Sequence, residues 1–397
     1  MSDTLDATAA PSLERAIADH LPQWTQWRHD FHRHPELAFE EQRTSARVAE
    51  LLTDWGYEVT TGIAGTGVVG TLAVGTQGPS IGLRADMDAL PIAEQNELDY
   101  QSQQAGKMHA CGHDGHTTSL LAAAQLLAER RQFKGTLHVI FQPAEENAGG
   151  GKHMVDEGLF ERFPCDAVFG FHNMPGQPLG QLAFREGPTM AAEDEVDIVI
   201  TGQGGHGAAP HTTTDPIVAA ASLVTALQTI VARNVDPLKT AVVTIGAIHG
   251  GNARNVIPDQ VTLNLTVRTF DDDVREQIEQ RIKQLAQHQA ESFGARAEVN
   301  YQHGYPVLSN HAEPTRFARQ VGIKHLGEQQ VAAHLDPIAA SEDFAYMLKA
   351  RPGSYLFIGN GDSAPLHNAH YNFNDAILPV AARYWVALVE EFLVASA

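Results

Sequence analysis

The sequence predicts an α/β protein, in which a mixed, largely parallel sheet flanked by helices is interrupted by an inserted domain of the ferredoxin-like order β-α-β-β-α-β. Three observations predict this fold. The length of 397 residues exceeds one ordinary domain. Buried-strand patterns alternate with helical patterns in both terminal parts, whereas the middle part has its own set of strands and helices. We therefore assign residues 1–190 and 304–397 to the two parts of a main domain, and residues 191–303 to the inserted domain.

The first part of the main domain is predicted to begin with two helices and to continue with buried strands. Apolar residues recur at helical spacing over residues 12–34 and 40–55. The runs typical of buried strands are "GVVGTLAV", "SIGLRA", "TLHVIF" and "DAVFGF", which begin at residues 67, 80, 136 and 166. Helical stretches at 116–131 and 150–163 separate some of these runs, and this alternation favours parallel pairing.

The inserted domain is predicted from a change of pattern between residues 195 and 303. A strand, "EVDIVITG", precedes a helix that begins at Pro216 behind the N-cap residue Asp215. Two strands follow, "TAVVTIGAI" and "VTLNLTVRTF", and a helix at 272–293 and the strand "ARAEVNYQ" complete the domain. The α/β pattern then returns, with a helix at 313–326, the strand "SYLFIG" and a closing helix at 375–395.

The composition limits the classes of partner and the location. There are 27 basic and 48 acidic residues, and the resulting net charge of −21 disfavours nucleic acid and anionic membranes as partners. No apolar run approaches the ~20 residues of a spanning helix, and the start, "MSDTLDATAAPSLERA", shows no export signal. Because the only cysteines are Cys111 and Cys165, we expect no disulfide framework and a cytoplasmic location. Cys165 is expected to be a small buried apolar residue.

Acidic or imidazole side chains follow three of the predicted strands. Asp86 and Asp88 follow "SIGLRA", Glu145 and Glu146 follow "TLHVIF", and His172 ends "DAVFGF". Because ligands bind outside the carboxyl ends of parallel strands, we expect these side chains to meet at one edge of the sheet. Of two adjacent carboxylates, which repel each other, one can bind a metal ion while the other acts as a base.

The segment "MHACGHDGHT" (108–117) brings one cysteine and three histidines to the same edge: His109, Cys111, His113 and His116. Cys, His and Glu are the ligands that zinc and similar divalent ions prefer. Each residue alone has an ordinary structural explanation, since a histidine at a strand end is more often structural than a ligand. Their convergence indicates a catalytic metal site.

Two glycine-rich loops of the inserted domain carry polar residues. "GQGGHGAAPH" contains His206, and "GGNARNVIPD" contains Asn252, Arg254 and Asn255. Loops of this composition are typical of sites that hold anionic substrate groups. A solvated turn would explain the Asn and Gly residues but would leave His206 unexplained.

These motifs resemble the M20 metallopeptidases, and within them the amidohydrolase subgroup of hippurate hydrolases, N-acyl-L-amino-acid amidohydrolases, IAA-amino-acid (auxin-conjugate) hydrolases and N-acetyldiaminopimelate deacetylases. The resemblance covers nearly the whole chain, through "RHDFHRHPELAFEE", "GLRADMDALP", "MHACGHDGHT", "FQPAEE", "GFHNMP", "GQGGHGAAPH", "GGNARNVIPD", "SEDFAYML" and "APLHNAHY". It implies a zinc-peptidase-like catalytic domain at 1–190 and 304–397, and a lid and dimerisation domain at 191–303. The implied assembly is a homodimer, with a tetramer as the alternative.

The resemblance also implies two divalent metal ions per subunit, with zinc, manganese, cobalt or nickel as candidates. The subgroup's ligand positions fall on Cys111, His113, Glu146, His172 and His367. Where many family members have a His-x-Asp ligand pair, this chain has Asp86-Met87-Asp88. We therefore expect Asp86 and Asp88, with His109 and His116, to support the ligands instead of binding metal.

The implied activity is metal-dependent hydrolysis of the amide bond of N-acyl-L-amino acids, such as hippurate-like, N-acetyl or indoleacetyl conjugates. Glu145 matches the general base, and His206, from its own or the partner subunit, matches the donor to the oxyanion. The substrate carboxylate would meet Asn252, Arg254 or Asn255. The alternatives are a small-peptide carboxypeptidase or dipeptidase, or an N-acetyldiaminopimelate deacetylase. A non-catalytic metal-binding protein is disfavoured, because it would not need Glu145 beside the ligand Glu146.

Overall fold

The computed structural model describes residues 12–146 and 148–395, which form two compact units. The main unit contains the described residues up to 187 together with residues 310–335 and those from 346 onward. The inserted unit contains residues 188–309 and 336–345. The predicted insertion, 191–303, falls inside the inserted unit, and no sequence pattern indicated that residues 336–345 join it.

The main unit is built on a seven-stranded sheet. Its strands, numbered along the whole chain, are β1 (Glu58–Ile63), β2 (Gly67–Val74), β3 (Ser80–Asp86), β4 (Gly135–Gln142), β5 (Ala167–Pro175), β6 (Leu182–Ala183) and β15 (Gly353–Gly361). They lie in the order β1-β2-β4-β3-β5-β15-β6. The four central strands are parallel, whereas β1, β2 and β6 pair antiparallel to their neighbours. The prediction of a mixed, largely parallel sheet is therefore confirmed.

Helices of the main unit cover this sheet. They are α1 (Leu13–Arg33), α2 (Gln42–Asp54), α3 (His113–Arg130), α4 (Gly150–Asp156), α5 (Leu159–Arg162), α8 (Ala312–Leu326) and α10 (Ile377–Ala395). Helices α1, α3 and α10 pack against one another, and α2 packs against β1 and β2. Nearly all of α3 is buried, so its apolar residues between positions 120 and 127 are not confined to one stripe, and the polar side chains of its first two turns are buried as well.

The inserted unit has a four-stranded antiparallel sheet in the order β10-β12-β8-β13. Its elements are β8 (Ala192–Thr201), the short strand β9 (Gly205–His206), α6 (Pro216–Thr229), β10 (Ala241–His249), the short strand β11 (Val256–Ile257), β12 (Gln260–Thr269), α7 (Asp272–Ser292) and β13 (Arg296–His303). Without the two short strands, the chain order is the predicted β-α-β-β-α-β. Three elements, β7 (Gly187–Met190), β14 (Leu308–Asn310) and α9 (Phe344–Ala350), lie where the chain passes between the units.

Local signals placed the elements of the inserted unit correctly. The Asp215 side chain accepts a hydrogen bond from the Ile217 N–H, so it caps α6 as the Asp-Pro pair predicted. Strand β12 alternates buried and partly exposed residues, as the strict alternation of its sequence predicted. Its buried residues meet α6 and α7 in one apolar core.

One helical stretch contradicts the expectation that no apolar segment approaches membrane-spanning length. Residues Pro216–Asn234 are long and apolar enough by length and composition alone, with a mean hydropathy of 1.5. A mostly buried core helix of a folded domain can pass the same test, whereas 33% of this stretch is buried. In the inserted unit, the α6 residues Ala219, Ala220 and Leu223 are fully buried in the core beneath the sheet.

Candidate metal centre

The predicted metal ligands and the side chains expected to support them lie at or near the ends of strands, around the start of α3 and, for His367, between β15 and α10. Asp86 ends β3, and the Glu145–Glu146 pair follows β4. His172 lies inside β5, because this strand continues to Pro175 instead of ending at residue 171 as predicted. Helix α3 likewise begins three residues before the predicted start at residue 116, so His113 is its first residue.

A glycine turn delivers Cys111 and His113 to the same place. Gly112 has φ 92°, and a Cβ atom at this position would overlap the side chains of Asn173 and Tyr371. Only glycine therefore fits between the two predicted ligands. The Cys111 Sγ atom lies 3.3 Å from the His172 Nε2 atom.

The donor atoms form overlapping groups, in each of which they lie within 4.8 Å of one another. The groups of interest are Cys111/His113/His172, Cys111/Glu146/His367 and His113/Glu145/Glu146. All five predicted ligands thus occur in linked groups, together with the predicted base Glu145. His367 is the most exposed of them, and its Nε2 atom lies 3.2 Å from the Glu146 Oε1 atom.

The chemistry of the buried donors fits a divalent cation. The Nε2 atom of His113 is buried and has no hydrogen-bond partner among the described residues. His172 uses Nδ1 to donate to the Asn173 carbonyl at 2.7 Å, which leaves the Nε2 lone pair facing Cys111. Burial, and next the Glu146 and Glu145 carboxylates, raise the pKa of the Cys111 thiol well above its usual value. A cation is the partner that would allow a thiolate here.

His116 is held in a supporting position. Its Nδ1 atom lies 2.7 Å from Asp86 Oδ1, and its Nε2 atom accepts a hydrogen bond from the Asn173 N–H at 3.1 Å. Since both ring nitrogens are engaged, His116 has none left for a metal ion, although it lies close to Asp86 and His113. Burial alone would raise the pKa of Asp86, but His113, Arg84 and His116 hold it well below its usual range. Asp86 is therefore ionised, and its carboxylate orients the side chains of His116 and Arg84.

Asp88 connects a predicted ligand to the acidic pair. Its Oδ1 atom accepts a hydrogen bond from the Glu145 N–H at 3.0 Å and lies 3.3 Å from His113 Nδ1. Its Oδ2 atom accepts from the Glu146 N–H at 2.9 Å. The sequence indicated a supporting role for Asp88 but gave no sign of these backbone contacts.

His109 and the motif "HDFHRHPE" lie outside the donor groups. Both ring nitrogens of His109 lack a hydrogen-bond partner within the described residues, and burial lowers its pKa to about 4, so the ring is neutral. The motif ends α1 ahead of Pro35, and its His32 contacts Asp114 and Glu94 at 2.8 and 3.1 Å. These contacts give His32 a structural role.

Sequence reasoning missed Asn173, which links several parts of the centre. Its amide donates to the Cys111 carbonyl at 2.7 Å and accepts from the Tyr371 hydroxyl at 2.6 Å. Its position directly after His172 was the only available signal, because its contacts other than those with His172 are with residues distant in sequence.

The inserted unit brings its two glycine-rich loops together. Short strands β9 and β11 pair His206 with Val256, and the Gly207 N–H donates to the Asn255 carbonyl at 2.8 Å. The exposed His206 ring accepts from the Ala208 N–H through Nδ1 at 3.0 Å, so its proton is on Nε2 and can be donated. The predicted substrate-binding residues, Asn252, Arg254 and Asn255, are all exposed.

Known proteins resemble the chain over nearly its full length. The family model "Peptidase family M20/M25/M40" matches residues 82–391. The hippurate hydrolase of Campylobacter jejuni is 44% identical over 377 residues, covering 95% of this chain and 98% of that protein. The N-acetyl-L-cysteine deacetylase of Bacillus subtilis is 41% identical over 362 residues, covering 90% and 85%. A solved dinuclear metal-binding M20 peptidase of Bacillus subtilis has a TM-score of 0.84 and 34% identity, over 95% of this chain and 99% of its own.

Proposed function

Because the chain belongs to peptidase family M20/M25/M40, we propose that it hydrolyses the amide bond of N-acyl-L-amino acids at a centre of two divalent metal ions. It is an enzyme that acts on amides, with small N-acyl amino acids as substrates. The observation that carries the proposal is the pair Glu145–Glu146, whose carboxylates lie within 4.8 Å of a His113 nitrogen. One carboxylate of this pair can bind metal while the other takes part in proton transfer.

The proposed metal ligands are Cys111, His113, Glu146, His172 and His367. When bound, divalent ions in such a site lower the pKa of water and polarise the amide carbonyl. The mixture of thiolate, imidazole and carboxylate suits zinc, with manganese, cobalt and nickel as alternatives. Asp86 and Asp88 orient His116, His113 and the acidic segment through the contacts described above.

The remaining steps belong to residues of the chain itself. Glu145 takes a proton from the attacking water and returns it to the leaving amine. The Nε2–H of His206 donates to the oxyanion that develops on the carbonyl oxygen. Asn252, Arg254 and Asn255 bind the carboxylate of the released amino acid through amide and guanidinium donors.

We further propose a hippurate-like, N-aroyl preference, supported by the 44% identity to a hippurate hydrolase. The test is a screen of N-benzoyl, N-acetyl and indoleacetyl amino acids, N-acetyldiaminopimelate and unblocked dipeptides with the metal-reconstituted protein, measuring released amino acid. Hydrolysis of the N-benzoyl compounds with the highest kcat/KM is expected. Preference for unblocked dipeptides would instead identify a small-peptide carboxypeptidase or dipeptidase, and release from no compound would contradict amide hydrolysis.

We propose that the chain assembles as a homodimer through the inserted unit. Strand β10 is an edge strand, and it exposes Val242 and Ile248. On α6, Ile217 and Val218 are also exposed. An open strand edge and exposed apolar side chains favour pairing with a second copy. Light scattering on the purified protein should give twice the mass of the chain.

For the location of the protein we propose the cytoplasm, supported by two buried cysteines that are not disulfide-bonded.

A further inference from the structure

A buried carboxylate outside the donor groups, that of Glu41, contacts the chain just before the predicted base. Glu41 is fully buried (0% exposed) at the start of α2, yet its side chain does not cap this helix. Its Oε1 atom instead accepts hydrogen bonds from the backbone N–H groups of Phe39 and Ala144, at 3.0 and 2.9 Å. Its Oε2 atom accepts from the Thr66 hydroxyl at 2.5 Å.

Ala144 has an unusual backbone conformation. Its φ is 54°, in the left-handed region that residues other than glycine seldom adopt, and the residue is fully buried. Such a conformation persists only where the surrounding structure enforces it, and it is found mainly at functional sites. Ala144 directly precedes Glu145, so its φ and ψ angles set the direction in which the chain presents Glu145 and Glu146.

Two buried carboxylates hold three successive N–H groups at this turn. Glu41 accepts from the N–H of Ala144, and Asp88 accepts from those of Glu145 and Glu146. Asp88 also lies beside the predicted ligand His113, whereas Glu41 occurs in none of the donor groups. Glu41 therefore contacts the acidic segment through its backbone alone.

We propose that Glu41 is a positioning residue for Glu145, which holds the left-handed turn at Ala144 so that the Glu145 carboxylate is aimed at the water whose proton it takes. The inference rests on the proposed function and adds a residue that contacts neither substrate nor metal. Its contacts are made to three hydrogen-bond donors and to no acceptor, which suits an ionised carboxylate. Burial opposes this ionisation and raises the pKa of the carboxyl to about 7, whereas the hydrogen bonds from Thr66 and from the backbone favour the charged form.

A positioning role for Glu41 predicts that two substitutions of similar size have different effects on kcat. Glu41→Gln keeps one oxygen that can accept from the Ala144 N–H, and its amide N–H can donate to Thr66, so kcat should stay within about 3-fold of wild type. Glu41→Met leaves the Ala144 N–H unpaired in the interior, and kcat should fall ~10- to 100-fold, as for a displaced catalytic group. KM and metal content should stay unchanged in both variants.

A double-mutant cycle separates positioning from a structural role. If Glu41 acts through Glu145, adding Glu41→Met to Glu145→Gln should lower kcat by less than about 3-fold more. An independent loss of the full ~10- to 100-fold in that background, or a folded Glu41→Met enzyme with wild-type kcat, would overturn the proposal. Asp194→Asn provides the matched control, because Asp194 is a buried carboxylate of the inserted unit that pairs with Arg275. It should reduce stability without changing kcat.

If Glu41→Met does not fold, Thr66→Val replaces it. This substitution removes only the hydroxyl that donates to Glu41 Oε2, and it should give a smaller loss in kcat that again disappears in the Glu145→Gln background. An unchanged kcat in Thr66→Val would count against the proposal. Failure of the proposed function is recognised separately, since the wild-type protein would then hydrolyse no N-acyl amino acid.

Discussion

At the scale of single residues, Glu145 and Glu146 are neighbours with different surroundings. Both are grouped with His113, but only Glu146 also lies beside His367 and joins the group that contains Cys111. Glu145→Gln should therefore keep the metal and the fold but lower kcat by ~10²–10⁴, the usual contribution of a general base. Glu146→Gln is the matched control, and it should lose metal as well as activity. Elemental analysis beside steady-state kinetics checks both, and near-wild-type turnover of Glu145→Gln would remove it from the mechanism.

Cys111 offers a test of ligation that does not depend on turnover. A metal-bound thiolate is shielded, whereas the metal-free thiol can be alkylated. Chelation should therefore abolish activity and make Cys111 reactive towards iodoacetamide, as measured by mass spectrometry of labelled peptides. Cys165 is the internal control: it is buried, burial raises its pKa to about 12, and its labelling should change little. Equal labelling of Cys111 with and without metal would argue against ligation.

The sequence was most informative about residue types that are themselves typical of metal sites. Cysteine, histidine and paired glutamates at strand ends pointed to the donor groups before any contact was known. Asn173 and Glu41 were not predicted as parts of the centre, because amides and single carboxylates are common on every surface. Their significance comes from contacts across long stretches of chain, such as that between residues 41 and 144.

At the scale of secondary structure, β4 contains a histidine that should make the fold sensitive to acid. His138 is buried, and this burial lowers its pKa to about 4, while its Nδ1 atom contacts the Thr71 hydroxyl at 2.9 Å. The unfolded chain protonates this ring near pH ~6.5, so stability present above that pH is lost as the pH falls towards the folded value. The expected loss between about pH 7 and pH 5 is on the order of 2 kcal/mol.

Denaturant titrations of wild type and His138→Gln at several pH values measure this loss. The substitution should remove that part of the pH dependence, whereas His288→Gln, at an exposed histidine of α7, should behave like wild type. If His138→Gln keeps the full acid sensitivity of the wild-type protein, another group is responsible.

Element prediction succeeded where a periodic pattern is long enough to be recognised. The apolar runs of β2, β3 and β4 and the alternation of β12 were located to within a residue or two. Strands β6, β9 and β11 have two residues each, too few for a period, and β1, "EVTTGI", is mostly polar. The early start of α3 depends on the turn at Gly112, which is fixed by contacts with distant side chains.

At the scale of the whole molecule, the proposed mechanism needs a residue from each unit. His206→Ala should lower kcat by ~10²–10³ while substrate affinity changes little, because an oxyanion donor acts mainly in the transition state. His211→Ala, at another exposed histidine of the inserted unit, is the control and should keep wild-type kcat. A His206→Ala enzyme with wild-type kcat would exclude the catalytic role.

The proposed homodimer adds a question of which subunit supplies His206. Mixed dimers of His206→Ala and Glu145→Gln chains contain hybrid sites, and in one of these both groups are intact if His206 acts across the dimer. Recovery of activity in verified heterodimers is then expected. Without recovery, His206 would act in its own subunit, and its catalytic role would be unaffected.

The boundaries of the two units could be predicted only in part from the sequence. Composition and element order indicated an insertion in the middle of the chain, but residues 336–345 belong to the inserted unit without any local pattern. Membership of a compact unit depends on packing between segments far apart in sequence. The sequence of a short connecting segment therefore does not indicate which unit the segment packs with.

The position of β15 has a consequence for synthesis on the ribosome. This strand lies between β5 and β6 in the main sheet, although the chain reaches it only after residues 188–309 of the inserted unit. The sheet of the inserted unit can therefore form while β5 still has an open edge that awaits its partner. His367 emerges later still, so a nascent chain carries an incomplete set of proposed ligands until residue 367 has been synthesised. Prematurely terminated chains would then be inactive and would expose a strand edge by which chaperones and proteases can recognise them.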